Sequence, residues 1–388
     1  MTFLETADRI GARLCRDAIW HGRRCNWIGG SAEPRGGFTH AALGPALYSG
    51  TAGIALLLLR LYRATGEPVF RRTAEGALRQ SLARRNEGSI GLFDGLAGIA
   101  YVAGCAAKIT GDEEYLGQAL QIARGILPRP ERIDVINGSA GVVAALLALA
   151  RLAGGCGLME DARRHAAFLI ENATRGDCGW SWGTMEKRHA DLTGFAHGAA
   201  GIGLALLEMY GATGDPDCRV AAEEAFRYER GLFDAGRENW PDFRTAPKDG
   251  VPAYAMMWCA GAPGIGLSRL RAGEILDDPA CREEARAAIR ATIGWLDEAE
   301  DANFSLCHGI AGNAELLLDS GEAEYMKIAR AVGEAGIERY ESQSVPWPCG
   351  THSDFEPPGL MLGLAGIAHF YLRLHDPASV PSVLVLTE

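Results

Sequence analysis

Two cysteine-containing dipeptides are the part of this sequence best suited to chemistry. Cys259 follows Trp258, Cys307 precedes His308, and each cysteine stands two residues before a glycine. Thiolate sulfur and imidazole nitrogen are common zinc ligands, and three such ligands with an open fourth position are typical of catalytic zinc sites. If the two dipeptides converge in the fold, Cys259, Cys307 and His308 are therefore predicted to bind Zn²⁺.

The glycines after the dipeptides belong to a repeat that runs through the chain. A Gly-x-x-Gly phrase followed by an apolar run occurs seven times, with 43 to 63 residues between successive first glycines, close to the period of two-helix repeats. The phrases occupy residues 50–53, 95–98, 138–141, 198–201, 261–264, 309–312 and 363–366. Each phrase is predicted to begin a helix.

A later glycine in most units predicts where that helix ends. In the first four units it comes 16 residues after the leading glycine, a place typical of a left-handed helix end. These glycines are Gly66, Gly111, Gly154 and Gly214. In the fifth and sixth units Gly273 and Gly321 come after only 12 residues, which predicts helices shorter by about one turn.

Each unit is predicted to pair a buried helix with a half-exposed one. The run after each phrase is apolar on all sides, as in a core helix, whereas the next stretch separates charged and apolar faces at helical spacing. No polar capping repeat is visible at either end. We therefore predict an all-α fold, a closed α/α toroid of about seven helical hairpins, with residues 1–388 as a single domain. Residues 174–194 and 235–255, the latter with Asp242 and Arg244, are predicted to be loops over one face.

The composition argues against several classes of function. The net charge of −11 gives no electrostatic reason to bind nucleic acid or an anionic membrane. The first 19 residues mix charged and apolar positions and predict an amphipathic helix, and the longest uncharged stretch, 250–268, is a poor membrane span because prolines and glycines interrupt it. Cys15 and Cys105, like the other scattered cysteines, are expected to be buried thiols rather than disulfide partners. These features favour a cytoplasmic protein.

In a closed ring the inner helices begin at one face, so the residues before the leading glycines line a common basin. These residues are Ser49, Asp94, Asn137, His197, Ala260, His308 and Leu362, preceded by Tyr48, Phe93, Ile136, Ala196, Cys259, Cys307 and Met361. Helix N-termini favour thiolates and a developing oxyanion there. His197, in register with His308, is predicted to be a general acid or base. Asp134 either orients His197 or caps a helix, whereas His352 is expected to be a solvated loop residue.

Over nearly its whole length the chain resembles the lanthionine synthetase C family of cyclases, and most of all the cyclase domain that ends the larger lanthipeptide synthetases. The resemblance rests on the seven glycine phrases and on the motifs at 197–201, 258–264 and 307–309. It implies a toroid with zinc at the centre of one face. It also implies that a peptide cysteine adds to dehydroalanine or dehydrobutyrine, giving a lanthionine or methyllanthionine thioether. Under this resemblance Cys259, Cys307 and His308 hold the zinc, His197 protonates the enolate, and Asp134 assists His197.

The resemblance further implies partners and raises one alternative. The substrate is expected to be a dehydrated, ribosomally made precursor peptide, leader plus core. Because the repeats occupy the chain, dehydration is expected from a separate dehydratase or kinase/lyase, unless the chain is an excised domain. Ala260 stands where a His or Tyr often follows the first cysteine in the family, and Ala255 where stand-alone cyclases carry Arg. A zinc protein of the same family that binds a peptide or small thiol without cyclising it therefore stays open.

Two other toroid enzymes fit the residues less well. A prenyltransferase-like zinc subunit also activates a thiol, but it needs an aromatic-lined funnel, and aromatic residues are only 8% of this chain. A toroid glycosidase needs paired carboxylates facing the basin. Asp94 and Asp134 are available for that role, but paired thiolate ligands have no part in glycoside hydrolysis.

Overall fold

Two layers of helices make up the fold in the computed structural model, which describes residues 1–32, 38–155, 157–185, 190–351 and 355–386. His352 lies outside these ranges. The inner helices are α2 (Thr51–Thr65), α4 (Leu96–Thr110), α6 (Ser139–Leu152), α8 (Ala199–Thr213), α10 (Ala262–Leu276), α12 (Ile310–Asp319) and α14 (Leu364–His375). The outer helices are α1 (Phe3–Arg16), α3 (Pro68–Ala83), α5 (Glu113–Arg124), α7 (Met159–Glu171), α9 (Pro216–Arg230), α11 (Pro279–Glu298) and α13 (Ala323–Gly336).

Each inner helix packs against the outer helix that follows it, except the last. The final inner helix, α14, packs against α1 from the other end of the chain. The first 19 residues do contain the predicted amphipathic helix, which a capping box of Thr2 and Glu5 begins and which buries Phe3, Ile10 and Leu14. The predicted toroid of seven helix pairs is confirmed, and its seventh pair is made from the two ends of the chain.

The described residues also form three short antiparallel β-hairpins between the helices. They pair β1 (Ile19–His21) with β2 (Arg24–Asn26), β3 (Ile28–Ala32) with β4 (Phe38–Ala42), and β5 (Thr174–Gly176) with β6 (Gly179–Ser181). The prediction of a loop over 174–194 is therefore wrong for its first part. Gly179 has φ +120 and lies against the backbone of α9, so it allows the tight turn. Trp182 is buried beyond β6 and donates Nε1–H to the Leu169 carbonyl at 2.8 Å.

A circle of backbone hydrogen bonds closes the toroid at the N-terminal ends of the inner helices. In each unit, an amide just before the Gly-x-x-Gly phrase donates to the matching carbonyl of the next unit. The bonds run from Tyr48 to Phe93 (2.7 Å), Phe93 to Ile136 (3.0 Å), Val135 to Ala196 (3.2 Å), Ala196 to Cys259 (3.1 Å), Cys259 to Cys307 (3.3 Å), Cys307 to Met361 (3.0 Å) and Met361 to Tyr48 (2.8 Å). The seventh bond returns to the first unit, so all seven loops are held in one register.

The second glycine of each phrase lets this circle sit directly on the helices. At all seven positions a Cβ atom would collide with the carbonyl oxygen six residues earlier, for example at Gly312 with Leu306. The loop before each inner helix therefore packs on the first turn of that helix. No larger residue fits this approach without moving the backbone of the loop.

The predicted helix ends are observed in most units. Gly66, Gly111 and Gly214 are left-handed residues that end α2, α4 and α8, and Gly154 and Gly321 have positive φ just past the ends of α6 and α12. The prediction that Gly273 ends its helix is wrong, because α10 continues to Leu276 and ends at Asp277. A Cβ at Gly273 would lie 2.9 Å from Arg282 Cγ, so this glycine serves close packing against α11.

The interface between the inner and outer helices contains charged side chains that the apolar pattern did not predict. Arg269 on α10 is fully buried and bonds Glu229 on α9 at 2.8 Å and Glu284 on α11 at 2.5 Å. Glu229 also accepts hydrogen bonds from the amides of Gly194 and Ala200, at 2.9 and 3.0 Å, and so caps the start of α8. Removing one partner of such a network leaves a buried charge that the protein cannot solvate.

The segment after α14 returns into the barrel. Arg373 Nε donates to the Val380 carbonyl and Arg60 Nη1 to the Pro381 carbonyl, both at 3.0 Å, and Trp258 Nε1 donates to the Leu384 carbonyl at 3.3 Å. These donors come from three different units, which places residues 380–386 on the barrel axis. The segment thereby supports the loop that carries Cys259.

Most of the described cysteines are buried, as expected, but Cys178 is exposed, and Cys15 and Cys349 are half-buried. The nine described cysteines are free thiols, Cys156 being outside the described ranges. No described helix is both long and apolar enough to span a bilayer.

The buried network predicts a loss of stability when one of its members is removed, and an exposed ion pair on the same helix provides the control. Replacing Glu229 with Ala should lower the free energy of unfolding by about 3–5 kcal/mol, because Arg269 loses a buried partner. Glu223 on the same helix pairs with Arg219 at 2.8 Å, but both side chains are nearly half exposed. Glu223→Ala should therefore cost less than about 1 kcal/mol. Urea unfolding of both variants measures the difference, and equal losses would contradict the network.

Candidate functional site

A cavity of about 800 Å³ opens at the hydrogen-bonded circle, at the N-terminal ends of the inner helices. Its lining includes residues from the positions that register assigned to the basin: Tyr48, Asp94, Ile136, Ala196, His197, Cys259, Cys307 and His308. The cavity also takes Arg244 from the 235–255 segment and Gly350 from the loop before α14. Residues from six of the seven units therefore share one pocket.

The two cysteines lie side by side in neighbouring units. Their backbones are joined by the 3.3 Å bond of the circle, both side chains are buried, and the two thiols share a hydrogen bond. That bond, with Cys307 as donor, lowers the pKa of Cys259 to about 6, although burial opposes the shift, and the Arg244 guanidinium lowers it further. The same bond and burial raise the pKa of Cys307. Of the two sulfurs, Cys259 is therefore the one that loses its proton more readily.

His308 is oriented by a backbone carbonyl. Its Nε2 lies 3.0 Å from the Gly350 oxygen, which has no proton to donate, so Nε2–H is the donor and the lone pair falls on Nδ1. Gly350 permits this approach, since a Cβ there would lie 2.9 Å from Nε2. A histidine whose second nitrogen donates to a carbonyl is the arrangement commonly found around metal-binding imidazoles.

Cys259, Cys307 and His308 are the residues that could hold a metal. Among the described residues, no three Cys, His, Asp or Glu side chains are drawn tightly enough together to form a finished coordination shell. The structure brings the two thiols into contact and places His308 on the same cavity wall. Two soft sulfurs and one imidazole with its lone pair on Nδ1 are a donor set that suits zinc with one position open.

Asp134 and His197 meet across two units. Asp134 Oδ2 lies 2.6 Å from His197 Nδ1, and Oδ1 accepts the amide N–H of Asn137 at 2.8 Å. Asp134 thus contacts the histidine, which is one of the two roles that spacing left open, and it pins the loop before α6 rather than capping that helix. The carboxylate is buried, whereas the imidazole is 26% exposed toward the cavity. Thr184 Oγ1 holds the loop of His197 by donating to its carbonyl at 2.5 Å.

Arg244 was placed in a loop over the basin but given no role by the sequence. Its Nη1 lies 3.6 Å from Cys259 Sγ, while Nε and Nη2 bond the two oxygens of Asp242 at 3.0 and 2.7 Å. The pair Asp242-x-Arg244 comes from a segment outside the repeat, so register could not assign it. Its only signal was its presence in a long insertion just before the first cysteine.

Two other polar groups complete the cavity wall. The Tyr48 hydroxyl hydrogen-bonds the Cys307 thiol, and burial raises the pKa of Tyr48. Burial also raises the pKa of Asp94, with Arg132 opposing the shift and Asp134 adding to it. Both residues had been placed in the basin by position alone.

Comparison with known proteins finds relatives of low sequence identity. Over 201 residues it is 25% identical to the lacticin 481/lactococcin biosynthesis protein LcnDR2 of Lactococcus lactis subsp. lactis, which covers 48% of this chain and 21% of that protein. Over 285 residues it is 22% identical to the glutathione S-transferase LANCL1 of Danio rerio, covering 69% of this chain and 67% of that protein. The chain thus matches only about a fifth of LcnDR2.

Solved structures and a family profile agree on the fold. Nisin cyclase superposes with a TM-score of 0.68 over 98% of this chain and 97% of its own, at 17% identity. The sequence profile described as lanthionine synthetase C-like protein matches residues 41–385. This match spans all seven glycine phrases, so the chain belongs to the lanthionine synthetase C-like family.

Proposed function

We propose that this chain is a zinc-dependent peptide cyclase that forms lanthionine and methyllanthionine thioethers in a dehydrated precursor peptide. The observation that carries the proposal is the pair of contacting thiols, Cys259 and Cys307, which face the same cavity as His308 and the His197–Asp134 pair. A site that only bound a peptide has no need for a zinc-type donor set beside an acid–base pair.

The three ligands set the charge of the site. Two thiolates and a neutral imidazole offset the two positive charges of zinc, and the circle fixes both sulfurs at adjacent positions. Zinc bound there supplies the Lewis acidity that keeps a substrate cysteine as a thiolate at neutral pH. The Gly350 carbonyl keeps the His308 ring in place for this role.

His197 and Asp134 handle the proton that the reaction returns to the substrate. Thiolate attack on Cβ of the dehydro residue forms the C–S bond and moves the π electrons of the alkene onto the carbonyl oxygen, giving an enolate. Asp134 fixes the proton on His197 Nδ1 at 2.6 Å and so holds the imidazole ring in one orientation. His197 Nε2 then donates its proton to Cα and completes the thioether. The thiol proton lost at the start balances this step, so the mass of the peptide is unchanged.

The proposed substrate implies that another enzyme acts before this one. A dehydrated peptide, leader plus core, must be supplied by a dehydratase or kinase/lyase enzyme, and its cysteines must stay reduced until they react. Free cysteines throughout the described residues are consistent with a cytoplasmic setting, where thiols are kept reduced.

A second candidate is a family member that adds a small thiol to an electrophile. It is favoured by the similarity to the glutathione S-transferase LANCL1 and by Ala255 and Ala260, which depart from the pattern of the cyclases. Parallel incubations separate the two. A cyclase consumes the thiols of a dehydrated peptide without glutathione, whereas the alternative yields glutathione adducts and no rings.

Zinc binding is tested by stoichiometry. The purified chain should contain about one zinc, and Cys259→Ala and Cys307→Ala should each lose most of it, because two ligands of this kind cannot retain the metal alone. Cys218→Ala is the matched control, since Cys218 is equally buried but lies on α9. Full zinc content in both ligand variants would contradict the site.

The acid–base pair is tested by the rate of ring formation. Incubation with a dehydrated precursor peptide should consume its free thiols with no change in mass. His197→Asn should keep zinc and slow this reaction by about 10²–10⁴-fold, as expected when a general acid is lost. Asp134→Asn should slow it by about 10–100-fold through misorientation of His197.

The control for this pair is His21→Asn, which alters an exposed histidine of β1. It should cyclise the peptide at the wild-type rate. If His197→Asn also reacted at that rate, His197 would have no part in the reaction.

A further inference from the structure

The segment that carries Arg244 is held rigidly at the edge of the cavity. The Asp242 amide donates to the Ala253 carbonyl at 2.7 Å, and Thr193 Oγ1 donates to the Pro241 carbonyl at 2.6 Å. Trp240, directly before them, is fully buried. The backbone around Asp242 is therefore anchored from both sides, although this segment belongs to no repeat.

The guanidinium of Arg244 is aimed at the reaction site by a forked ion pair. Asp242, itself buried, takes Nε and Nη2 at 3.0 and 2.7 Å and also accepts the Arg244 amide at 3.0 Å. This leaves the Nη1 edge directed at Cys259 Sγ, 3.6 Å away. A forked arginine–carboxylate pair fixes both position and plane of the guanidinium, which a lysine cannot reproduce.

Stabilising an anionic intermediate in this cavity requires a positively charged group. Its lining carries Asp94, Asp301 and the two cysteines, and among its described lining residues Arg244 is the one lysine or arginine. An enolate oxygen formed in this cavity is costly unless a fixed donor meets it. Neither Ala255 nor Ala260 has a side chain that can donate a hydrogen bond.

We infer that Arg244 is a catalytic residue that hydrogen-bonds the enolate oxygen formed during thiolate addition, and that Asp242 is its positioning residue. The inference rests on the proposed cyclase function. When the S–Cβ bond forms, the π pair of the alkene moves through Cα to the carbonyl oxygen, and Arg244 meets that charge. The pair returns as Cα takes its proton from His197. Arg244 donates to the sulfur of Cys259, a proposed zinc ligand, so its guanidinium would stand near a substrate thiolate held by the metal and near the acceptor of that thiolate.

Kinetics of Arg244→Gln test the assignment. Zinc content and the dissociation constant for the dehydrated peptide should stay close to wild type, whereas kcat for ring formation should fall by about 10²–10³-fold, as when one oxyanion donor is removed. Arg244→Lys should recover only part of the rate, because it keeps the charge without the fork. Asp242→Asn should reduce kcat less than Arg244→Gln, since the guanidinium remains but is loosened.

Arg237→Gln is the matched control. Arg237 lies in the same segment but is exposed, pairing with Asp234 at 3.5 Å, and its loss should leave kcat unchanged. An optical readout complements the rates. In the cobalt-substituted protein, the sulfur-to-cobalt charge-transfer band should shift in Arg244→Gln but not in Arg237→Gln, because Arg244, unlike Arg237, donates to a ligand sulfur.

The outcomes separate this inference from the function on which it rests. If the wild-type chain forms no ring from any dehydrated peptide, the proposed function and this inference both fail. If the wild type forms rings and Arg244→Gln forms them at the same kcat, only the role of Arg244 is overturned. A loss of rate that follows entirely from lost zinc or weaker peptide binding also overturns it.

Discussion

The circle of seven backbone hydrogen bonds is the constraint on which the rest of the structure depends. Each bond is individually modest, about 1 kcal/mol net, but together they fix seven loops in one register. Cys259 and Cys307 become neighbours because they occupy matching positions in adjacent units. The second glycines of the phrases allow the loops of the circle to pack directly on the inner helices. The helices therefore hold the site residues in fixed positions.

Much of the fold was predictable because the repeat encodes it locally. The apolar runs, the paired glycines and the left-handed helix ends at Gly66, Gly111 and Gly214 each follow from local preferences of the backbone. What the repeat could not predict are contacts between distant segments. The pairing of α1 with α14 and the return of residues 380–386 into the barrel depend on partners far away in sequence, whereas the packing role of Gly273 depends on how closely α11 approaches α10.

In the candidate site, too, the repeat predicts some residues, whereas contacts that it does not encode determine the others. Register brought Cys259, Cys307, His308 and His197 to one face, because the cysteines stand two residues and the histidines one residue before a leading glycine. Asp134 was ambiguous from spacing, since its contact with His197 joins two loops whose approach only the closed ring determines. Arg244 could not be assigned a role, because an irregular segment delivers it and no periodic pattern positions it. The repeat thus forms the cavity, and segments outside the repeat add further functional groups to its wall.

Zinc-edge X-ray absorption of the purified, metal-loaded protein tests the central claim most directly. The account predicts two sulfur neighbours at about 2.3 Å and one imidazole nitrogen at about 2.0–2.1 Å, with a light atom in the fourth position. Adding dehydrated precursor peptide should raise the sulfur count from two to three. A shell of oxygen and nitrogen alone, or a sulfur count that stays at two with the peptide bound, would contradict the account.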